Sequence, residues 1–173
     1  MRFLLMDTVS ASPSVALLDG KDLRVRPLGQ GRGQSAEVFP ALEELLGERR
    51  LEGLGLAIAL SGPGSFTGIR LGLSIMRGFR LAGVKTAAIS HFEAARISLG
   101  LGPGARVALP AGTLDSFVGD ENGERVEETR SSPVALDYGK ILELAAASPE
   151  AFAASHASLE PIYVKPHYAE KPK

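Results

Sequence analysis

The stretch Leu60–Phe79, LSGPGSFTGIRLGLSIMRGF, decides how the rest of the chain is read. It opens on three glycines, Gly62, Gly64 and Gly68, and continues into an apolar helix expected over 66–82, with Gly83 as its stop. A glycine-rich turn at a helix N-terminus can cradle an anion. The turn lacks the Lys-Ser/Thr ending of a P-loop and the spacing of a dinucleotide fingerprint, and Pro63 removes one backbone donor. A tight strand-to-helix turn is the competing reading.

Projected at 100° per residue, Thr67, Arg70, Ser74 and Arg77 fall in one narrow arc, and apolar and glycine positions fill roughly 220°. A surface helix needs an apolar stripe of only about 100°. The excess predicts cover on two sides, one of them a sheet. Gly68, Gly72 and Gly78 each weaken a helix by ~1 kcal/mol relative to Ala. Gly68 and Gly72, one turn apart, are therefore expected to form a flat patch for a second helix, flanked by Ile69, Leu73, Met76 and Phe79. On this reading Gly72→Leu blocks association while the lobe stays folded. The preceding helix, SAEVFPALEELLGERR (35–50), is similarly wide, with Phe39, Leu42 and Leu46 on its apolar side, Ser35 as N-cap and Gly47 as terminator. Two such helices side by side form either a panel for a partner or a face covered by the chain's own second lobe.

Working outward, RFLLMDT, SPSVALLDG and KDLRVRPL read as a meander of three strands, with Asp19-Gly20 a turn signal and GQGRGQ (29–34) a connector. LEGLGLAIALSG is an apolar run suited to a strand buried on both faces, VKTAAIS is another buried strand, and HFEAARISLG is a short helix. The order is β-β-β-α-β-α-β-α, an α/β lobe with a mixed sheet over residues 1–102. Beyond Gly102, residues 103–173 read as a reduced second lobe: strands around turns with Asn122-Gly123 a hairpin signal, one or two helices, and a strand-like tail.

The chain has 173 residues, 45% of them hydrophobic, which suffices for one core or two small lobes sharing a seam. Net charge is −1, so no global basic field attracts nucleic acid or an anionic membrane. No cysteine is present, which excludes disulfides, thiolate metal sites and cysteine nucleophiles. The N-terminus lacks the pattern of a signal peptide and no run reaches the length of a membrane span, so a cytoplasmic protein is expected. His91, His156 and His167 make no i, i+4 pair for a metal, and no Gly-x-Ser-x-Gly elbow occurs. Asp7 and Thr8 follow a buried strand, where an aspartate either helps hold magnesium and a nucleotide, with Asp115 a weak second acid, or caps the turn.

Three segments, LLMDTVSASPSVALLDG (4–20), SGPGSFTGIRLGLSIMRGF (61–79) and ISHFEAA (89–95), resemble in that order the bacterial TsaB family, also called YeaZ, and the tail LEPIYVKPHYAE is similar to that family's closing Pro-x-Tyr segment. The resemblance implies an actin-like (ASKHA, ribonuclease H-like) fold. It also implies a role in making threonylcarbamoyladenosine beside the tRNA anticodon, as a non-catalytic partner of a TsaD-like catalytic subunit, with a TsaE-like ATPase as third component. The two wide helices match the family's dimerisation helices, which pack on a partner or on a second copy. It implies no cofactor for this chain, and a vestigial nucleotide site at most, at Asp7 and Thr8. Direct tRNA contact is not expected. The family's Asp-Ala-Arg at the start of the second lobe is replaced here by LPAGTLDSF, and Gln34 stands where the first helix often begins with His. The rival reading is an actin-like ATP-binding phosphotransferase.

Overall fold

The computed structural model describes residues 1–29 and 33–164. Part of the 29–34 connector and the end of the tail, from 165 onward, lie outside the described residues.

Three strands, β1 (Arg2–Asp7), β2 (Ser14–Asp19) and β3 (Asp22–Pro27), form the expected antiparallel meander. A two-residue turn closes β2 onto β3, with Gly20 at φ 64°, where a side chain would be strained. β4 (Leu54–Leu60) and β5 (Thr86–Ile89) follow helices, and such crossovers make parallel neighbours. The sheet order is β3-β2-β1-β4-β5, with β1 central and buried throughout. β3 is the exposed edge, and its arginines Arg24 and Arg26 discourage further pairing there.

Alternation along β1 sorts the layers. Arg2, Met6 and Thr8 point to one face. Arg2 donates to Leu46 O at 3.0 Å, Thr8 Oγ1 donates to Gly68 O at 2.7 Å, and Met6 lies under Gly72. That face carries α1 (Gln34–Leu46) and α2 (Phe66–Leu81). Asp7, one residue out of phase, meets the Tyr138 hydroxyl at 3.0 Å, at the start of α4 (Tyr138–Ala147) on the opposite face.

Helix ends follow local chemistry. Ser65 caps α2 by accepting from Gly68 N, and Ser90 caps α3 (His91–Leu99) by accepting from Glu93 N. Ser35 is not the cap of α1. The helix starts at Gln34 after Gly33, because the Gln34 amide is drawn inward to Thr8 O at 2.9 Å. Gly47 ends α1 at φ 61°, and Pro40 sits inside a continuous helix.

The position expected for a boundary, near Gly102, falls between two sheets, and a small buried cluster of Phe92, Ala95, Val107 and Leu109 spans it beside the main core. β6 (Val107–Pro110), β7 (Ser116–Asp120) and β8 (Gly123–Glu127) make a small antiparallel sheet. Its hairpin tip is Glu121-Asn122, one residue earlier than the Asn-Gly pair suggests: Asp120 accepts from Asn122 N, and Gly123 at φ 104° already pairs with Asp120. The chain then returns to the first lobe. Ile141, Leu142 and Ala145 of α4 and Phe152 of α5 (Pro149–Ser155) join the core of the five-stranded sheet. The segment after α5 crosses the end of β4, where Ile162 N donates to Ser61 O at 2.7 Å; no strand forms there among the described residues.

Candidate functional site

The loop between β4 and α2 is a tight turn pinned to its own chain. Ser65 N donates to Val9 O at 3.3 Å, and Gly68 N is held by Ser65 Oγ. His91 N donates to Gly62 O at 2.6 Å, and the His91 ring donates from Nδ1 to Pro63 O at 2.9 Å. Glycine is required at two points. A Cβ on Gly62 (φ 109°) would lie 2.5 Å from Ile162 O, and one on Gly64 (φ 150°) would lie 2.7 Å from Val9 O. Burial lowers the His91 pKa, with the Pro63 hydrogen bond and Asp7 pulling the other way.

Asp7 is committed to its own chain. Oδ1 accepts from Val9 N and Ser10 N, both at 2.9 Å; Oδ2 accepts from the Ser10 and Tyr138 hydroxyls. Burial, and then the Asp7 charge, push the Tyr138 phenol well above its ordinary value. Thr8 is likewise spent, its hydroxyl on Gly68 O and its carbonyl on Gln34. The cleft between this turn and the small sheet, lined by Ser10, Gly64, His91 and Leu109, encloses about 50 Å³, far below the ~300 Å³ of an ordinary ligand pocket. Among the described residues no group of three or more His, Asp or Glu could hold a metal.

The nine residues expected on a partner-facing panel divide. Gly68, Ile69, Gly72, Leu73 and Met76 are buried under the chain's own cover. A Cβ on Gly68 would lie 1.7 Å from Thr8 O, and one on Gly72 would lie 2.8 Å from Thr8 Oγ1. The flat patch therefore receives Thr8 at the end of β1, not a second helix, and Gly72→Leu would disrupt this seam before it touched any interface. The buried residues of α2, Gly68, Ile69, Gly72, Leu73, Ile75 and Met76, span about 160° on the projection. Part of the apolar excess is covered by the segment after α5, where Leu159 is buried and its carbonyl accepts from Arg77.

The other four line a groove of about 510 Å³ between α1 and α2. Leu42 and Leu46 are buried in its wall, Phe79 is half-buried, and Phe39 is 56% exposed, with Glu43, Glu48 and Arg50 at the margin. Sequence reading missed Arg2 and Tyr138. Nothing in the local sequence marks either, because their partners lie 44 and 131 residues away.

An antiparallel meander extended by two parallel crossover strands, helices on both faces, and a second small sheet: this is an actin-like α/β architecture. Two solved structures share it. One is YeaZ from Pseudomonas aeruginosa, with a TM-score of 0.65, 19% identity, and coverage of 94% of this chain and 99% of that one. The other is an uncharacterized protein with similarity to peptidase YeaZ from Pseudomonas aeruginosa, with a TM-score of 0.65, 20% identity, and coverage of 95% and 99%. No family model matches the chain. In sequence the chain is similar to the tRNA threonylcarbamoyladenosine biosynthesis protein TsaB of Haemophilus influenzae, 38% identical over 84 residues. That match covers 45% of this chain and about a third (34%) of the length of the relative. The sequence match is thus to part of a TsaB, and the fold is shared with YeaZ. No helix among the described residues is long and apolar enough to cross a membrane.

Proposed function

We propose that this chain takes part in threonylcarbamoyladenosine synthesis on tRNA as a non-catalytic subunit, seating helices of a TsaD-like catalytic subunit in the groove between α1 and α2. A TsaE-like ATPase completes the assembly, and a second copy of this chain occupies the same groove when the catalytic subunit is missing. The observation that carries the reading is the groove itself: a half-exposed Phe39 and the edge of Phe79 stand over Leu42 and Leu46, apolar surface that association would remove from water. A complete interface of standard size buries about 1,600 Å² in total. The occupied Asp7 carboxylate and the narrow cleft beside it weigh against the ATP-binding phosphotransferase reading.

Co-expression with the TsaD-like subunit and sizing of the product tests this. A stable complex, lost in Phe39→Asp and Phe79→Asp with each variant still folded by circular dichroism, is the expected result. A complex indifferent to both substitutions, or micromolar ATP binding by the isolated chain in calorimetry, would overturn it.

A further inference from the structure

The outer flank of α2 carries chemistry that the groove does not use. On the helical projection Phe66, Arg70, Ser74 and Arg77 lie within about 80° of one another, on the side away from Phe79. The chain's own segment 157–163 is strapped along this flank. Arg77 donates to Leu159 O at 2.9 Å and Arg80 donates to Ala157 O at 2.8 Å. Tyr163 then stands beside the first turn of α2. Its ring lies 5.0 Å from that of Phe66, and its hydroxyl accepts from Arg70 Nε at 3.3 Å. The Arg70 guanidinium lies 4.0 Å over the Phe66 ring.

A cleft opens on each side of Tyr163. One, of about 260 Å³, is walled by Phe66, Phe117, Ile69 and Ile162. The other, of about 370 Å³, presents Arg70, Ser74, Arg77 and the Tyr163 hydroxyl. Every polar side chain in the second cleft can donate a hydrogen bond. Among the described residues no carboxylate lies within ion-pair distance of Arg70, Arg77 or Arg80. A donor-lined, positively charged cleft favours an anion, and charge-assisted arginine contacts are the strong ones. An aromatic-walled apolar cleft favours a planar ring. Tyr163 is the wall common to both, so the two preferences lie side by side, as base and phosphate do in a nucleotide.

We infer that this flank binds one nucleotide unit of a single-stranded RNA, the base against Phe66 and Tyr163 and the phosphate at Arg70 and Arg77. The nucleotide chemistry follows from the clefts alone; only the choice of RNA over a free nucleotide rests on the function proposed above. It runs counter to the expectation, drawn from the net charge of −1, that the chain does not touch RNA: a balanced total leaves room for a local patch of one sign.

The test is fluorescence anisotropy of the full chain with a labelled single-stranded heptaribonucleotide at 50 and 200 mM salt. With that one phosphate neutralised, the expected loss of affinity over that range is roughly two- to three-fold. Arg70→Glu is expected to weaken binding at least ten-fold, and Phe66→Ala about five-fold or more. Both side chains are exposed, and circular dichroism confirms that the variants fold. AMP as competitor separates the sources: displacement only at large excess assigns the site to an RNA strand, and displacement at matched concentration assigns it to a free nucleotide. No binding of either probe at 50 mM salt, binding unchanged in both variants, or equal competition by an oligoglutamate peptide would overturn the inference. Sizing of the same variants with the TsaD-like subunit is read separately, so a failed complex and a failed RNA site are distinguishable.

Discussion

Gly68 and Gly78 lie on the same helix, and replacing each by alanine should move stability in opposite directions. At Gly68 the added Cβ would lie 1.7 Å from Thr8 O and 2.8 Å from the Thr8 carbonyl carbon. These are backbone atoms of the residue directly after the central strand, so no rotamer change relieves the contact. Relief requires α2 to lift by more than an ångström, which strains the 2.7 Å bond from Thr8 Oγ1 to Gly68 O. Overpacking costs about 1–3 kcal/mol, and a rigid backbone neighbour puts Gly68 at the upper end. The weakened hydrogen bond adds about 1 kcal/mol. Helix propensity returns about 1 kcal/mol. The net is a loss of about 3 kcal/mol, or a fall in Tm of roughly 6–12 °C for a chain of this size. At Gly78 a Cβ meets nothing within 4 Å, so only the propensity gain remains, and Tm should rise by about 2–4 °C. Thermal melts followed by circular dichroism, with urea titrations for the free energies, measure both. If Gly68→Ala were as stable as the parent, α2 could not rest directly on β1, and the account of the seam would fail.

The remaining predictions concern other buried groups. Arg2→Met should cost about 2–4 kcal/mol in urea unfolding, because the guanidinium satisfies the carbonyls of Leu46, Arg50 and Glu52 behind α1. The His91 pKa is lowered on folding, so the unfolded chain binds the extra proton as pH falls below about 6.5. Stability should therefore decline from pH 7 toward 5, and His91→Leu should flatten that slope in melts across the range. The Tyr138 phenol is raised above its ordinary 10.0, so the folded state keeps a proton that the unfolded state loses, and stability should fall as pH rises past 10. Tyr138→Phe should remove that alkaline loss while costing about 1 kcal/mol at neutral pH, as Asp7 gives up one of its four donors.

How much was legible varied with the range of the interaction involved. The meander, the turn at Gly20 and the stop at Gly47 rest on neighbours a few residues apart, and the sequence states them directly. The N-cap of α1 was misread because the deciding bond, Gln34 to Thr8 O, spans 26 residues. The glycines of α2 carried an ambiguous message. Small residues one turn apart announce a close approach, but not whether the approaching surface is another molecule or the chain's own central strand. Only the position of Thr8, sixty residues earlier, resolves it.

Local periodicity and turn chemistry, which need only a few consecutive residues, determined by themselves the kinds and order of elements in the first lobe, its mixed sheet and the presence of two over-wide helices. Tertiary structure decided which side of those helices stays open, that α4 and α5 return to close the first sheet, that Asp7 is held by Tyr138, and that the tail brings Tyr163 against Phe66 and Arg70. Each of these depends on side chains from distant segments competing for the same surface. That competition is settled by packing the whole chain at once and leaves no periodic trace in any single stretch of it.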